Sequence, residues 1–111
     1  MTGDTTTHPP PPVPRFCFQL YVVGQTSRSR AAERQLRALC DSRTEGRYEI
    51  EVIDLDGDPD LAAERRVVAT PTLDRVEPLP RVRVIGDLGT SERLRSALGL
   101  PQGQATKKRD P

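Results

Sequence analysis

Apolar residues fall along this chain in runs whose spacing changes from segment to segment. From Phe16 to Val23 every position except Gln19 is apolar, which predicts a central strand covered on two sides. Gly24 ends it. Gln25-Thr26-Ser27 forms a turn, with Thr26, Ser27 or Ser29 as the cap of a following helix. From Ser29 to about Ser42 the apolar positions are Ala32, Leu36, Leu39 and Cys40, one face of a helix. Arg28, Arg30, Arg34 and Arg37 lie on the wetter side. Gly46 is expected to close that helix.

Tyr48 to Leu55 alternates at first and then turns continuously apolar, which predicts a second strand. A strand–helix–strand crossover of this length is a right-handed unit, so the first two strands are expected to be parallel. Asp56-Gly57-Asp58-Pro59 is a turn, with Asp58 as N-cap and Pro59 at the first helical position. Asp60 to Val67 is a short helix. Pro71 then stands between two β-branched threonines. It has no N–H for a sheet ladder and forces Thr70 out of the helical region, so the chain changes character there. It is also a candidate cis bond, since the cis form of an X–Pro bond costs only ~0.5–1 kcal/mol.

Thr72 to Val76 reads as a third strand, and Arg81-Val82-Arg83-Val84-Ile85 alternates as a fourth. The short Pro78-Leu79-Pro80 turn makes them antiparallel. Gly86 to Thr90 is a loop, with Thr90 or Ser91 capping a last helix whose inner face is Leu94, Ala97 and Leu98. Gly99 followed by Pro101 stops it.

The order is therefore βαβ, a helix, then ββα: an α/β chain with a mixed four-stranded sheet. That order suits the thioredoxin fold, in which the proline before the third strand is cis and faces the loop after the first strand.

Composition adds boundaries. A length of 111 residues fits one domain with tails. Residues 1–15, with the run Pro9 to Pro12, are expected to be an extended, unpacked leader. Its His8 is the only histidine. Residues 16–100 form the folded domain, and residues 101–111 a polar tail holding both lysines, Lys107 and Lys108. A net charge of +1 gives no global field for nucleic acid or a membrane surface. No apolar run is long enough to span a bilayer, and the N-terminus has no signal-peptide pattern, so a cytoplasmic protein is the default.

Catalytic patterns are missing where the fold would put them. A redox thioredoxin carries CxxC in the loop facing the proline, with a thiolate at the helix N-terminus. Here that loop is Gly24-Gln25-Thr26-Ser27-Arg28-Ser29, without sulfur. Cys17 lies inside the first strand and Cys40 near the far end of the helix, both read as core fillers. Ser27 and Ser29 have no histidine to activate them. Asp54, Asp56, Asp58 and Asp60 lack the closing glutamate of a calcium loop and are read as turn and cap residues. No enzyme activity, metal or cofactor is expected.

Several motifs, in order and spacing, resemble the KaiB family across about residues 16 to 100. They are Leu20-Tyr21-Val22-Val23-Gly24-Gln25-Thr26, Ser29-Arg30-Ala31, Val52-Ile53-Asp54, Pro59, Leu61-Ala62, Ala69-Thr70-Pro71-Thr72-Leu73 and Ile85-Gly86-Asp87-Leu88. The resemblance implies a non-catalytic binding protein that docks on a KaiC-type ATPase. Its partners would extend to a KaiA-like protein or a histidine kinase with a related N-terminal domain. It also implies two arrangements: a thioredoxin-like monomer, and a homo-tetramer in which the half after the second strand is repacked.

Arg66 and Arg75 match basic positions that the family places on its KaiC-facing half, and Arg83 matches a further basic position. Pro71, Gly86, Asp87, Ala97 and Gly99 are the positions expected to decide between folds. Where relatives commonly carry Gly-Leu-Asp, this chain has Ala97-Leu98-Gly99. Alanine for glycine inside a helix favours helix by ~1 kcal/mol, so the monomer is expected here. The short basic tail in place of an acidic extension leaves both a clock and a stress-response ATPase as the setting. A divergent oxidoreductase and a KaiB-like sensor module are the alternatives; a sensor kinase would need more chain than ends at Pro111.

Overall fold

The computed structural model describes residues 14–102. Its elements are β1 (Phe16–Val22), α1 (Ser27–Arg43), β2 (Tyr48–Asp54), α2 (Pro59–Arg65), β3 (Thr72–Glu77), β4 (Val82–Ile85) and α3 (Ser91–Leu98). The proline-rich leader through residue 13, with His8, and the tail from residue 103 lie outside the described residues.

The sheet runs β2-β1-β3-β4. β1 pairs in parallel with β2 and antiparallel with β3, and β3 pairs antiparallel with β4. The mixed four-stranded sheet and both strand directions follow the sequence expectation.

One face of β1 presents Phe16, Phe18, Leu20 and Val22, all at most 2% exposed. They meet Ala32, Leu36, Leu39 and Cys40 from α1, Leu94 and Leu98 from α3, and Leu73, Leu88 and Leu100. Each fully buried leucine contributes roughly 1.5–3 kcal/mol of transfer free energy. The second face departs from the expected two-sided burial. There Cys17 and Gln19 are half-buried, and only Tyr21 is fully covered.

β2 forms where its pattern predicts a strand, and it is less buried than β1. It lies at the sheet's edge, none of its seven residues is buried, and Val52 is exposed. Parallel pairing to β1 alone leaves its outer backbone without a neighbouring strand.

Local chemistry sets the helix ends. Thr26 caps α1 by accepting from the Ser29 N–H at 3.0 Å. Asp58 caps α2 through the Leu61 N–H at 3.1 Å, with Pro59 opening the helix. Thr90 caps α3 through the Arg93 N–H at 3.2 Å. α1 stops earlier than Gly46. Thr44, fully buried, takes the Cys40 carbonyl with both its N–H and its hydroxyl, at 2.9 and 2.8 Å.

α3 differs from expectation on one face. Ala97 is exposed, and Leu100 beyond the helix fills the place expected for it, at 2% exposure. The chain reverses at Gly99 (φ 70°), a left-handed turn that brings the Leu100 N–H to the Arg95 carbonyl at 3.0 Å.

Gly99 meets two constraints at once. A Cβ there would stand 2.9 Å from Arg75 Nη1. That nitrogen is itself held by the Leu98 carbonyl at 2.7 Å, so it has nowhere cheap to move. At Gly46 (φ 78°) a Cβ would meet nothing within 4 Å. Gly99→Ala is therefore expected to lower stability by about 1 kcal/mol more than Gly46→Ala. Urea unfolding of both variants, with unchanged m-values, measures that gap.

Candidate functional site

Two neighbouring places gather the residues singled out in the sequence. The first is the corner at Pro71. Pro71 is buried behind a cis Thr70–Pro71 bond. It faces the loop after β1 across a depression of about 290 Å³ lined by Val23, Thr26, Arg28, Ser29, Thr70 and Pro71. Gly86 (φ 88°) donates its N–H to the Pro71 carbonyl at 2.8 Å, closing the corner from the β4 side. Asp87 receives Arg28 Nε at 3.1 Å and Nη2 at 2.9 Å. Both side chains are more than half exposed, so this pair orients the loop more than it stabilises it.

Asp54, at the end of β2, holds the other side of that loop. Its Oδ1 accepts the N–H of Gly24 at 2.9 Å and of Asp56 at 2.9 Å. Those two backbone donors hold its carboxyl below the usual carboxylate range, the Gly24 bond contributing most. The acidic run thus works as turn and cap chemistry through Asp54 and Asp58.

The two thiols lie away from this corner. Cys40 is fully buried in the core, and that burial, helped by Asp41, pushes its thiol up to about 12. Cys17 corrects the sequence expectation. It is no core filler but a half-buried residue on the second sheet face, with Sγ 3.5 Å from Glu77 Oε1. Desolvation, and then the hydrogen bond to Glu77, raise its pKa as well. The loop that faces Pro71 carries an ion pair and hydroxyls where a dithiol enzyme needs a low-pKa sulfur.

The second place is a cleft between the end of α2 and the β3–β4 hairpin. It is about 260 Å³ in volume and lined by Arg65, Arg66, Asp74, Arg81, Val82 and Arg83. Hairpin register puts Asp74 directly opposite Arg83. The Asp74 side chain is 6% exposed, and Arg83 holds it with two bonds, Nε to Oδ1 at 2.6 Å and Nη2 to Oδ2 at 2.9 Å. The same guanidinium donates to the Arg66 carbonyl at 2.8 Å and the Arg65 carbonyl at 3.0 Å. It lies 6.0 Å above the Tyr21 ring, while Arg65 Nη1 donates to the Tyr21 hydroxyl at 2.9 Å. One arginine therefore ties α2 to the sheet.

Arg66 has the left-handed conformation (φ 57°, ψ 42°) that ends α2, and its side chain is exposed. Arg66 and Arg83 meet in this cleft, but Arg75 does not. Arg75 is 8% exposed, turned toward α3, with Nη1 on the Leu98 carbonyl and Nη2 on the Pro80 carbonyl at 2.5 Å. Its position, where the negative end of the α3 dipole lies, suits a cation. Gly99 adjoins it, and Ala97 lies on the outer face of α3.

Sequence reasoning passed over Arg65, Asp74, Arg81 and Tyr21. A usable signal existed: Asp74 and Arg83 are opposite charges on the two strands that flank the proline turn, as cross-strand partners often are. The link from Arg83 to the end of α2 left no trace in the linear pattern.

Comparison with known proteins fits this geometry. The KaiB domain pattern matches residues 19–100. The circadian clock oscillator protein KaiB of Synechococcus elongatus is 39% identical over 89 residues, covering 80% of this chain and 87% of that protein. The N-terminal domain of Synechococcus elongatus SasA superposes with a TM-score of 0.62 at 20% identity, covering 80% of this chain and 85% of that domain. Chloroplastic thioredoxin z superposes at 0.61, also at 20% identity, with 77% of this chain and 76% of that one covered. The fold is thioredoxin-like.

Two measurements check the corner and the thiols. The lowered Asp54 pKa means its contribution is present above the ordinary carboxylate range and is lost as pH falls through the folded-state value. Asp54→Asn is expected to cost stability by a constant amount at pH 5–7, with the difference narrowing below about pH 4; urea unfolding against pH measures it. In native protein at pH 8, Ellman's reagent is expected to label Cys17 before Cys40. Cys40, with roughly one part in ten thousand as thiolate, should label only on unfolding.

Proposed function

The chain belongs to the KaiB family, and from that premise we propose that it is a non-catalytic regulatory protein that docks on a KaiC-type ATPase. The setting is a circadian clock or a related bacterial signalling system. The observation that carries this reading is the corner at Pro71. The fold's redox members set a thiol opposite the cis-proline; this chain sets the Arg28–Asp87 pair there and buries Cys40 elsewhere. A scaffold without a reacting group acts by what it binds.

The docking surface in this reading centres on Arg66, with Arg83 shaping its edge. Arg75 takes part indirectly, by holding the end of α3 and the Pro78–Pro80 turn in place. The binding form is the thioredoxin-like monomer, favoured by Ala97 inside α3; the tetrameric arrangement is its alternative. A KaiA-like protein and a histidine kinase with a related domain are the further partners the family membership supports. Light scattering at micromolar concentration tests the monomer, which a tetramer mass would refute.

The decisive experiment is capture of the KaiC-type ATPase of the same organism, with and without ATP. Arg66→Glu is expected to weaken capture about tenfold or more by reversing a charge at the contact. Arg66→Gly removes the side chain and relieves the left-handed backbone, so it should weaken capture while leaving stability equal or up to ~1 kcal/mol higher. Arg75→Glu is a poor probe, because it buries an unpaired carboxylate beside the carbonyls of α3. Unaltered capture by both Arg66 variants would remove Arg66 from the surface. Absence of capture in either nucleotide state, or insulin reduction that depends on Cys17 or Cys40, would overturn the reading itself.

A further inference from the structure

The cleft at the end of α2 has more positive charge than its own carboxylate neutralises. Four guanidiniums face one aspartate. Both oxygens of Asp74 are taken by Arg83, whose charge they cancel. Arg81 comes only within 3.7 Å of Asp74, beyond hydrogen-bond range, and its side chain is 56% exposed. Arg65 is held by the neutral Tyr21 hydroxyl, and the Arg66 side chain has no hydrogen bond or ion pair among the described residues. Arg66 is therefore left unpaired among the described residues, and Arg65 and Arg81 are only partly compensated, by the more distant Glu64 and Glu51 and by the 3.7 Å approach to Asp74, where the three line one concavity. Like charges brought together repel unless an anion sits between them.

From this convergence we infer that the cleft bounded by Arg65, Arg66 and Arg81 binds a phosphate oxyanion, either as an inorganic di- or triphosphate or as the phosphate tail of a nucleotide. Planar guanidinium forks match phosphate oxygens two at a time. Two of the holders are already in place: Tyr21 fixes Arg65, and Arg83, braced between Asp74 and the two α2 carbonyls, fixes the floor. Less ordering is then needed on binding. Arg66 and Arg81 close over the ligand from the α2 end and from the start of β4. The volume of about 260 Å³ leaves room for phosphate groups, while a base and sugar would lie outside.

The test is calorimetric titration of the full chain with inorganic pyrophosphate at low ionic strength, without any ATPase present. Failure here is thus distinct from failure of the docking reading. The expected result is saturable one-to-one binding, weakened at least about fivefold by Arg66→Gln and by Arg81→Gln. Both side chains are exposed, so circular dichroism should show an unchanged fold. Arg34→Gln, on the outer face of α1, should bind as the parent does. Bound pyrophosphate should be displaced by ATP and not by adenosine. Absence of saturable binding, equal weakening by Arg34→Gln, or displacement by adenosine would each overturn the site.

Discussion

Strand β3 carries two adjacent charges, Asp74 and Arg75, in the middle of a sheet where both are nearly sealed from water. Burying an ion costs several kcal/mol unless it is paired in good geometry and fully hydrogen-bonded. Strand alternation sends the two side chains to opposite faces. Each must find its partner on its own side, and the partners are what hold the remaining elements. Asp74 draws in Arg83, which reaches on to the last carbonyls of α2. Arg75 finds the carbonyl end of α3 and the Pro80 carbonyl. Leaving either charge alone would cost more than any single apolar contact in the half of the chain after β2.

Within that half, α2 is held differently from the elements packed on the core. β1 and α1 meet through a continuous apolar core. α2 has seven residues and none is buried; α3 has eight and buries two. Helices this short do not persist in water on propensity alone. α2 is fixed by a cap at its start and an arginine at its end, with polar contacts doing what apolar packing does elsewhere. Such contacts can be exchanged one at a time, unlike a packed core, in which each residue touches many others.

The same bonding sets how the charges around α2 are arranged. Arg83 is spent on the fold, so it shapes the cleft without contributing net charge. Arg65 is aimed by Tyr21, a ring that belongs to the central strand. Arg66, at the left-handed turn that ends α2, is left exposed. The arginines here differ in what they bond: Arg75 and Arg83 hold neighbouring elements, while the Arg66 side chain is exposed.

Much of this was legible in the linear order of residues. Helix caps at Thr26, Asp58 and Thr90, the leucine stripe of α1, the proline that opens β3 and the hairpin about Pro78–Pro80 are all local. Each depends on residues within a few positions of one another, so spacing places them, though it left Thr26 among three candidate caps and Thr90 among two. What spacing could not determine was sheet order, which puts β2 at an edge and β1 in the interior. Nor could it tell a structural arginine from a presented one. Arg66, Arg75 and Arg83 look equivalent in the chain. The tertiary fold separates them, because burial and the nearest carbonyl or carboxylate, contributed by residues as many as twenty-three positions away, decide where each charge is spent.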